Sequence, residues 1–314
     1  MLGSYERGIN LRKVAVLGQG HVGATVAHII VDHGYADQLV LFDARKEKLQ
    51  AEVLDLHDAA SLLDHHVEVS AGTFEDMADA DVIISAIGRI DLIEPGGDRF
   101  TELKANLPSA QEIGAELKRV GFKGILIAIT NPVDVITSIY QEATDLPVER
   151  VMGTGTYLDT ARMKRVLGEA IGLDPRSIQG YVLGEHGDSQ FVAWSTVKAL
   201  GQSAQTLAQT YHLDLPALEQ AARQGGFDVF NGKRYTNVAI AHAAVSLMNL
   251  VLSNAQQEAI VSHFDAELNS YISTPAVISA QGASDVVDLQ LNEREKTLLA
   301  QSAQTIAEKA AINQ

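Results

Sequence analysis

Along the first half of the chain, apolar residues gather into short runs at 14–17, 39–42, 82–86, 125–129 and 151–152, separated by stretches of helical period. Leu49, Val53, Leu56 and Ala60 step by four, three and four, and Leu103, Leu107, Ala110, Ile113, Leu117 and Val120 repeat that rhythm, so both segments predict amphipathic helices. Short buried strands that alternate with helices of this length pair as parallel neighbours through crossovers, which predicts an α/β, doubly wound parallel sheet of the Rossmann kind.

Beyond about residue 155 the pattern changes. A long helical stripe through Val238, Ala241, Val245, Met248 and Leu252 is followed by strand-like alternation at 259–264 and 275–278, so the second half reads as a mixed α+β domain. Asn292 with Glu295 three residues on forms a capping-box pattern, and the stripe Leu299, Ala303, Ile306, Ala310 then carries a final helix.

The chain has 314 residues, enough for two domains, with 24 Lys+Arg against 40 Asp+Glu and a formal net charge of -16. That excess repels phosphate backbones and anionic lipid, so no nucleic-acid or membrane partner is expected. No apolar run approaches the ~20 residues of a membrane span, and residues 1–13 lack a secretory apolar block, which places the protein in the cytoplasm. With no cysteine, thiol nucleophiles, disulfides and thiolate metal sites are excluded. His57, His65 and His66 lie in a polar connection without acids at ligand spacing, so they read as solvated and no metal is expected.

The first apolar run leads directly into Gly18-Gln19-Gly20-His21-Val22-Gly23 and then a helical stretch. In that context Gly18 serves a tight turn, Gly20 lets backbone approach a pyrophosphate, and Gly23 lets helix and strand pack closely. Asp43 ends the second run about twenty residues on, where a carboxylate accepts hydrogen bonds from the adenosine ribose. The cofactor expected is NAD rather than NADP, with the neighbouring Arg45 as the competing signal. This assigns 1–155 as the NAD-binding domain and 156–314 as the substrate and catalytic domain.

Asp159 and Arg162, three apart, share a face if helical, and His186 sits between Gly184-Glu185 and Gly187-Asp188-Ser189 at a turn. An imidazole held by a carboxylate suits proton transfer near neutral pH, while a helix-face ion pair and a turn histidine are the plainer alternatives.

The segments Gly153-Thr154-Gly155-Thr156, Leu158-Asp159-Thr160-Ala161-Arg162 and Gly184-Glu185-His186-Gly187-Asp188-Ser189 resemble the L-lactate/malate dehydrogenase superfamily, and so do the cradle, Thr130-Asn131-Pro132-Val133-Asp134, Asp98-Arg99 and Thr236. Within it, the run from Gly187 through Trp194 to Val197, with Gly225-Gly226-Phe227 and Asn231-Gly232-Lys233, is most similar to L-2-hydroxyisocaproate dehydrogenases. The resemblance implies that His186 exchanges the proton, held by Asp159, and that Arg162 grips the substrate carboxylate. It further implies that Arg99 closes over the reacting carbonyl on a loop, that Asn131 contacts that oxygen and the nicotinamide, and that Thr236 lines the substrate pocket. Counting back from Arg99 puts Ile93 at the substrate-discriminating position, beside Leu92, which disfavours a dicarboxylate. The expected activity is reversible hydride transfer between NADH and medium or branched 2-oxo acids, with L-lactate dehydrogenase as the alternative. A redox sensor that has lost turnover would show erosion of this set, and an NAD-using glycosidase would need a metal site for which the sequence shows no constellation. Apolar stripes on the 44–60 and 234–252 helices suit a homo-oligomer, with a tetramer expected.

Overall fold

The computed structural model describes residues 11–88, 99–284 and 289–311. Strands β1 (Lys13–Leu17), β2 (Gln38–Phe42), β3 (Glu68–Ala71), β4 (Val82–Ser85), β5 (Ile125–Ala128) and β6 (Val151–Gly153) pair in parallel in the order 3-2-1-4-5-6. The two central strands β1 and β4 carry almost unbroken apolar sequence because helices cover both faces. On one face pack α1 (His21–His33) and α2 (Lys46–Ala60); on the other pack α3 (Arg99–Val120) and α4 (Val133–Thr144). Strand order reverses between β1 and β4, and a crevice opens there at the carboxyl ends of the strands.

The chain continues through α5 (Tyr157–Ile171), the two-residue strands β7 (Val182–Leu183), β8 (Phe191–Val192), β9 (Lys198–Ala199) and β10 (Gln202–Ser203), and α6 (Ala204–Tyr211). It then forms α7 (Leu215–Lys233), α8 (Val238–Leu252), β11 (Gln257–Asp265), β12 (Ser270–Ser279), β13 (Gly282–Ser284) and α9 (Glu293–Ala311). The strands expected to belong to a mixed second half do form an antiparallel hairpin. They build no sheet of their own, however: β11 meets β6 at Ser262 and Gly153, extending the first sheet to nine strands. Helix α8 packs its apolar stripe against α1 and the sheet, joining the same core. The capping box at α9 forms, with Asn292 N–H donating to Glu295 Oε2 at 3.1 Å and Glu295 N–H donating to Asn292 Oδ1 at 3.0 Å.

Of the three histidines read as solvated, His57 and His66 are exposed and His65 is half-buried. His65 Nε2 lies 2.7 Å from the Val31 carbonyl and its ring fills the space over Gly34, the left-handed residue that ends α1, while His57 Nε2 meets the Val69 carbonyl at 2.7 Å. The solvated reading fails at His65, whose ring packs over Gly34 and reaches the Val31 carbonyl at the end of α1, whereas His57 stays exposed while it reaches Val69 on β3. Among the described residues no cluster of three His, Cys, Asp or Glu is placed to hold a metal, and no helix is long and apolar enough to cross a membrane.

Candidate active site

The cradle is built where β1 turns into α1. Gly18 has φ +86°, and a Cβ there would lie 2.9 Å from the Ala86 carbonyl oxygen on β4's continuation. At Gly23 a Cβ would stand 1.7 Å from the Gly18 carbonyl oxygen, so any side chain would push helix and turn apart. Gly20 is different: its Cβ position faces open space, leaving the backbone amides at the start of α1 accessible to an anion.

Beside the cradle, Asp43 accepts the Gln19 N–H at 2.7 Å and the Arg45 N–H at 2.8 Å, while Arg45 Nε and Nη2 fold back onto its two oxygens at 3.1 and 3.2 Å. Burial pushes the Asp43 carboxyl up, but the Arg45 side chain and the two backbone donors outweigh it and hold the group below the usual carboxylate range. A cleft of about 1160 Å³ runs from Gly18 and Gly20 past Asp43 to Gly88, Asn106 and Asn237. Bare amides at a helix start, an ionised carboxylate at the adenosine end and a crevice at the strand-order reversal together fit a dinucleotide.

A second group forms on α5 and the turn after β7. His186 Nδ1 lies 2.6 Å from Asp159 Oδ2, and Asp159 Oδ1 accepts Arg162 Nη1 at 2.8 Å, so one carboxylate bridges the imidazole and the guanidinium. Asp159 is 4% exposed. Burial would raise its pKa, but the His186 charge and hydrogen bond, with those of Arg162, outweigh that and keep the group below the ordinary value. The expected helix-face ion pair and the expected Asp–His pair are therefore both present on the same acid. The Arg162 guanidinium lies against Gly226 of α7, where a Cβ would come within 3.1 Å of Cζ.

The His186 backbone is held too. Its N–H donates to Asp134 Oδ2 at 2.9 Å, and Arg223 of α7 donates to the carbonyls of Asp188 at 3.0 Å and Gln190 at 2.6 Å. Asp134, in the first turn of α4, is fully enclosed, and its pKa is pushed up to about 6 by burial, partly offset by the Ser262 hydroxyl, the His186 N–H and the His186 charge. Asp134 belongs to the Thr130–Asp134 segment, to which the sequence alone attached no task; an acid two residues after a proline at a helix start was the available signal.

Asn131 precedes α4, and its carbonyl accepts Asn106 Nδ2 of α3 at 2.9 Å. Thr236 lies in the turn between α7 and α8. That turn is docked on the cradle: Tyr235 stacks on His21 with ring centroids 3.7 Å apart, and Asn237 Nδ2 donates to Thr25 Oγ1 at 2.9 Å. Arg99 is the first residue of α3, with its side chain outside the described set, and Ile93 with residues 89–98 lies outside the described residues.

Residues 12–153 match the family model for the lactate/malate dehydrogenase NAD binding domain, and residues 156–313 match that for the lactate/malate dehydrogenase alpha/beta C-terminal domain. L-lactate dehydrogenase 1 of Bifidobacterium longum subsp. longum is 36% identical over 309 residues, covering 96% of this chain and 97% of the relative. L-lactate dehydrogenase 2 of Enterococcus faecalis is 33% identical over 299 residues, covering 93% and 94%. Among solved structures, a minor L-lactate dehydrogenase from Enterococcus mundtii in a ligand-bound form superposes with a TM-score of 0.91 at 30% identity, covering 96% of this chain and 98% of the other. Similarity of this extent over both halves decides the matter: the chain belongs to the lactate/malate dehydrogenase family and is an NAD-dependent oxidoreductase acting on 2-hydroxy acids.

Proposed function

We propose that this enzyme is an L-lactate dehydrogenase, interconverting pyruvate and L-lactate, with residues 1–155 forming the NAD-binding domain and 156–314 the substrate and catalytic domain. The observation that carries the reading is the Asp159 carboxylate bridging His186 and Arg162, because it sets a proton carrier and a carboxylate receptor side by side. Bound NAD supplies hydride chemistry at its nicotinamide. The chain's own residues do the rest. His186 gives its Nε2 proton to the carbonyl oxygen of the oxo acid, and Asp159 stabilises the imidazolium and fixes Nδ1 as the donor facing it. Arg162 has a further guanidinium edge for the substrate carboxylate, beyond the Nη1 contact to Asp159, and the absence of a side chain at Gly226 lets it lie flat. Arg99 arrives from the start of α3 to polarise the carbonyl, Asn131 contacts that oxygen, and Thr236 lines the pocket from the turn packed on the cradle.

Gly18, Gly20 and Gly23 shape the cradle for the pyrophosphate, and Asp43 receives the ribose hydroxyls. A second reading, preference for 2-oxoisocaproate, is favoured by the sequence, which has apolar Leu92 and Ile93 where an amide or a cation would suit lactate or malate. NADH consumption with pyruvate, 2-oxoisocaproate and oxaloacetate in parallel separates the readings. Highest kcat/KM with pyruvate supports the first, a tenfold or greater advantage for 2-oxoisocaproate moves the assignment to the second, and preference for oxaloacetate overturns both. We place the enzyme in the cytoplasm as a homotetramer; the assembly is supported by Leu54 on α2 and Val238 on α8, apolar side chains left 62% and 52% exposed. Light scattering that gives a monomer mass would refute the assembly.

A further inference from the structure

Helix α9 carries Glu295, Ser302 and Lys309 at seven-residue spacing, two helical turns apart, so the three side chains share one face. That face meets the segment around His186. The Ser302 hydroxyl, fully buried, accepts the Glu185 N–H at 2.7 Å and lies 2.9 Å from Ser189 Oγ. Lys309 Nζ forms an ion pair with Glu185 Oε1, while Glu185 Oε2 accepts the Ser189 hydroxyl at 2.6 Å. Further along, Glu295 accepts the Ser195 N–H at 3.0 Å and its hydroxyl at 2.5 Å.

Glu185 is the hub of this arrangement. Its side chain curls beneath Gly187, where a Cβ would come within 2.5 Å of the carboxyl carbon, and the Gly187 N–H donates to the Glu185 carbonyl at 2.8 Å. One carboxylate thus ties residue 185 to residue 189, with His186 between them. At 2% exposure it depends on Lys309 for its countercharge. Breaking a buried ion pair by removing one partner leaves a desolvated charge, which costs more than replacing both partners by neutral groups. An uncompensated Glu185 would be relieved by drawing in water or swinging outward, and either movement shifts the turn that carries the imidazole.

We propose that Lys309 and Glu185 are positioning residues for His186, and that α9 acts through them and Ser302 as a brace that aims the imidazole from a helix remote in sequence. This rests on the reading of His186 as the proton donor. Neither residue is asked to touch substrate; their effect is on the geometry of the group that does.

The test compares the full-length variants Lys309→Met, Lys309→Arg, the double variant Lys309→Met with Glu185→Gln, and His186→Gln. A displacement of about 1 Å in a reacting group can cost up to a hundredfold, so Lys309→Met is expected to lower kcat by about tenfold or more. The pyruvate KM and the NADH dissociation constant should stay within about twofold, Lys309→Arg should restore kcat, and the double variant should recover part of the loss. A general loss of structure would move KM, NADH affinity and thermal midpoint together and would not be rescued by removing the second charge. If Lys309→Met does not fold, the double variant, which buries no unpaired charge, and Lys309→Arg carry the comparison. Wild-type kcat in the double variant, or in folded Lys309→Met, overturns the brace while His186→Gln still loses turnover. Near-normal turnover in His186→Gln instead overturns the reading on which the brace rests.

Discussion

Asp159→Asn tests the bridge between proton carrier and carboxylate receptor at its centre. The side chain is 4% exposed, with Oδ2 2.6 Å from His186 Nδ1 and Oδ1 2.8 Å from Arg162 Nη1. Asparagine keeps the volume and removes the charge. A hydrogen bond to a charged group is worth about 1.5–3 kcal/mol, and each ~1.4 kcal/mol is a factor of ten, so losing the bond to the imidazolium predicts a fall in kcat for pyruvate reduction of roughly ten- to 150-fold. The Arg162 end should lose less, because its side chain is 17% exposed and water takes up part of the freed charge. With the stabilising anion gone, the imidazolium is harder to keep, so the deficit in reduction should widen as pH rises, while lactate oxidation, which needs the neutral ring, should suffer less there. Steady-state rates in both directions across pH, with NADH binding by fluorescence as the control, read this out. A kcat within twofold of wild type, or an unchanged pH profile, would refute the pairing as a catalytic device.

Arg162→Lys should raise the pyruvate KM by at least tenfold with NADH affinity unchanged, since an ammonium cannot reproduce the planar fork; an effect confined to NADH would remove Arg162 from the substrate site. Asp43→Ala should weaken NADH binding and narrow the preference over NADPH, since the carboxylate that would repel a 2′-phosphate is gone; unaltered discrimination in competition kinetics would contradict the ribose assignment. Asp134 and Asp159 should bend stability with pH in opposite senses. Asp134 is raised to about 6, so its contribution is fullest below the unfolded carboxylate range and declines as pH rises through about 6; Asp159 is lowered, so its contribution holds above the unfolded range and is lost as pH falls through its folded value. Asp134→Asn should therefore gain thermal midpoint relative to wild type between pH 4 and pH 7. A constant difference across that range in thermal melts would refute the assignment.

The sheet and the cradle were legible because their signals are local: a buried strand is a short apolar run, Gly18 is needed by its own positive φ, and Gly23 by the Gly18 carbonyl five residues back. What escaped were pairings between distant segments. Nothing in the alternation of β11 says that it will meet β6 at Ser262 and Gly153 rather than begin a new sheet. Edge strand β3 was missed because only Val69 of its four residues is buried. The stripe Leu299, Ala303, Ile306, Ala310 announced α9, yet the polar series Glu295, Ser302, Lys309 lies beside it and passes for a solvated face until the fold brings Glu185 underneath.

Three acids surround His186, and the protein treats each differently. Asp159 is balanced by the imidazole and Arg162, Glu185 by Lys309, and Asp134 by burial that raises its pKa to about 6 while it accepts the His186 N–H. In a chain of net charge -16, an anionic substrate can approach this histidine only if the nearest carboxylates are already spoken for. Two of them carry a resident cation, so the local field is set by paired charges whose influence falls off steeply with distance. Asp134 alone of the three changes its charge just below neutrality. Since its oxygen holds the His186 backbone, acidification below about pH 6 weakens that tether from a carboxylate to a neutral acceptor. Acid in that range therefore acts on the backbone anchor of the imidazole while its side-chain partner Asp159, held below the ordinary carboxylate range, keeps its charge.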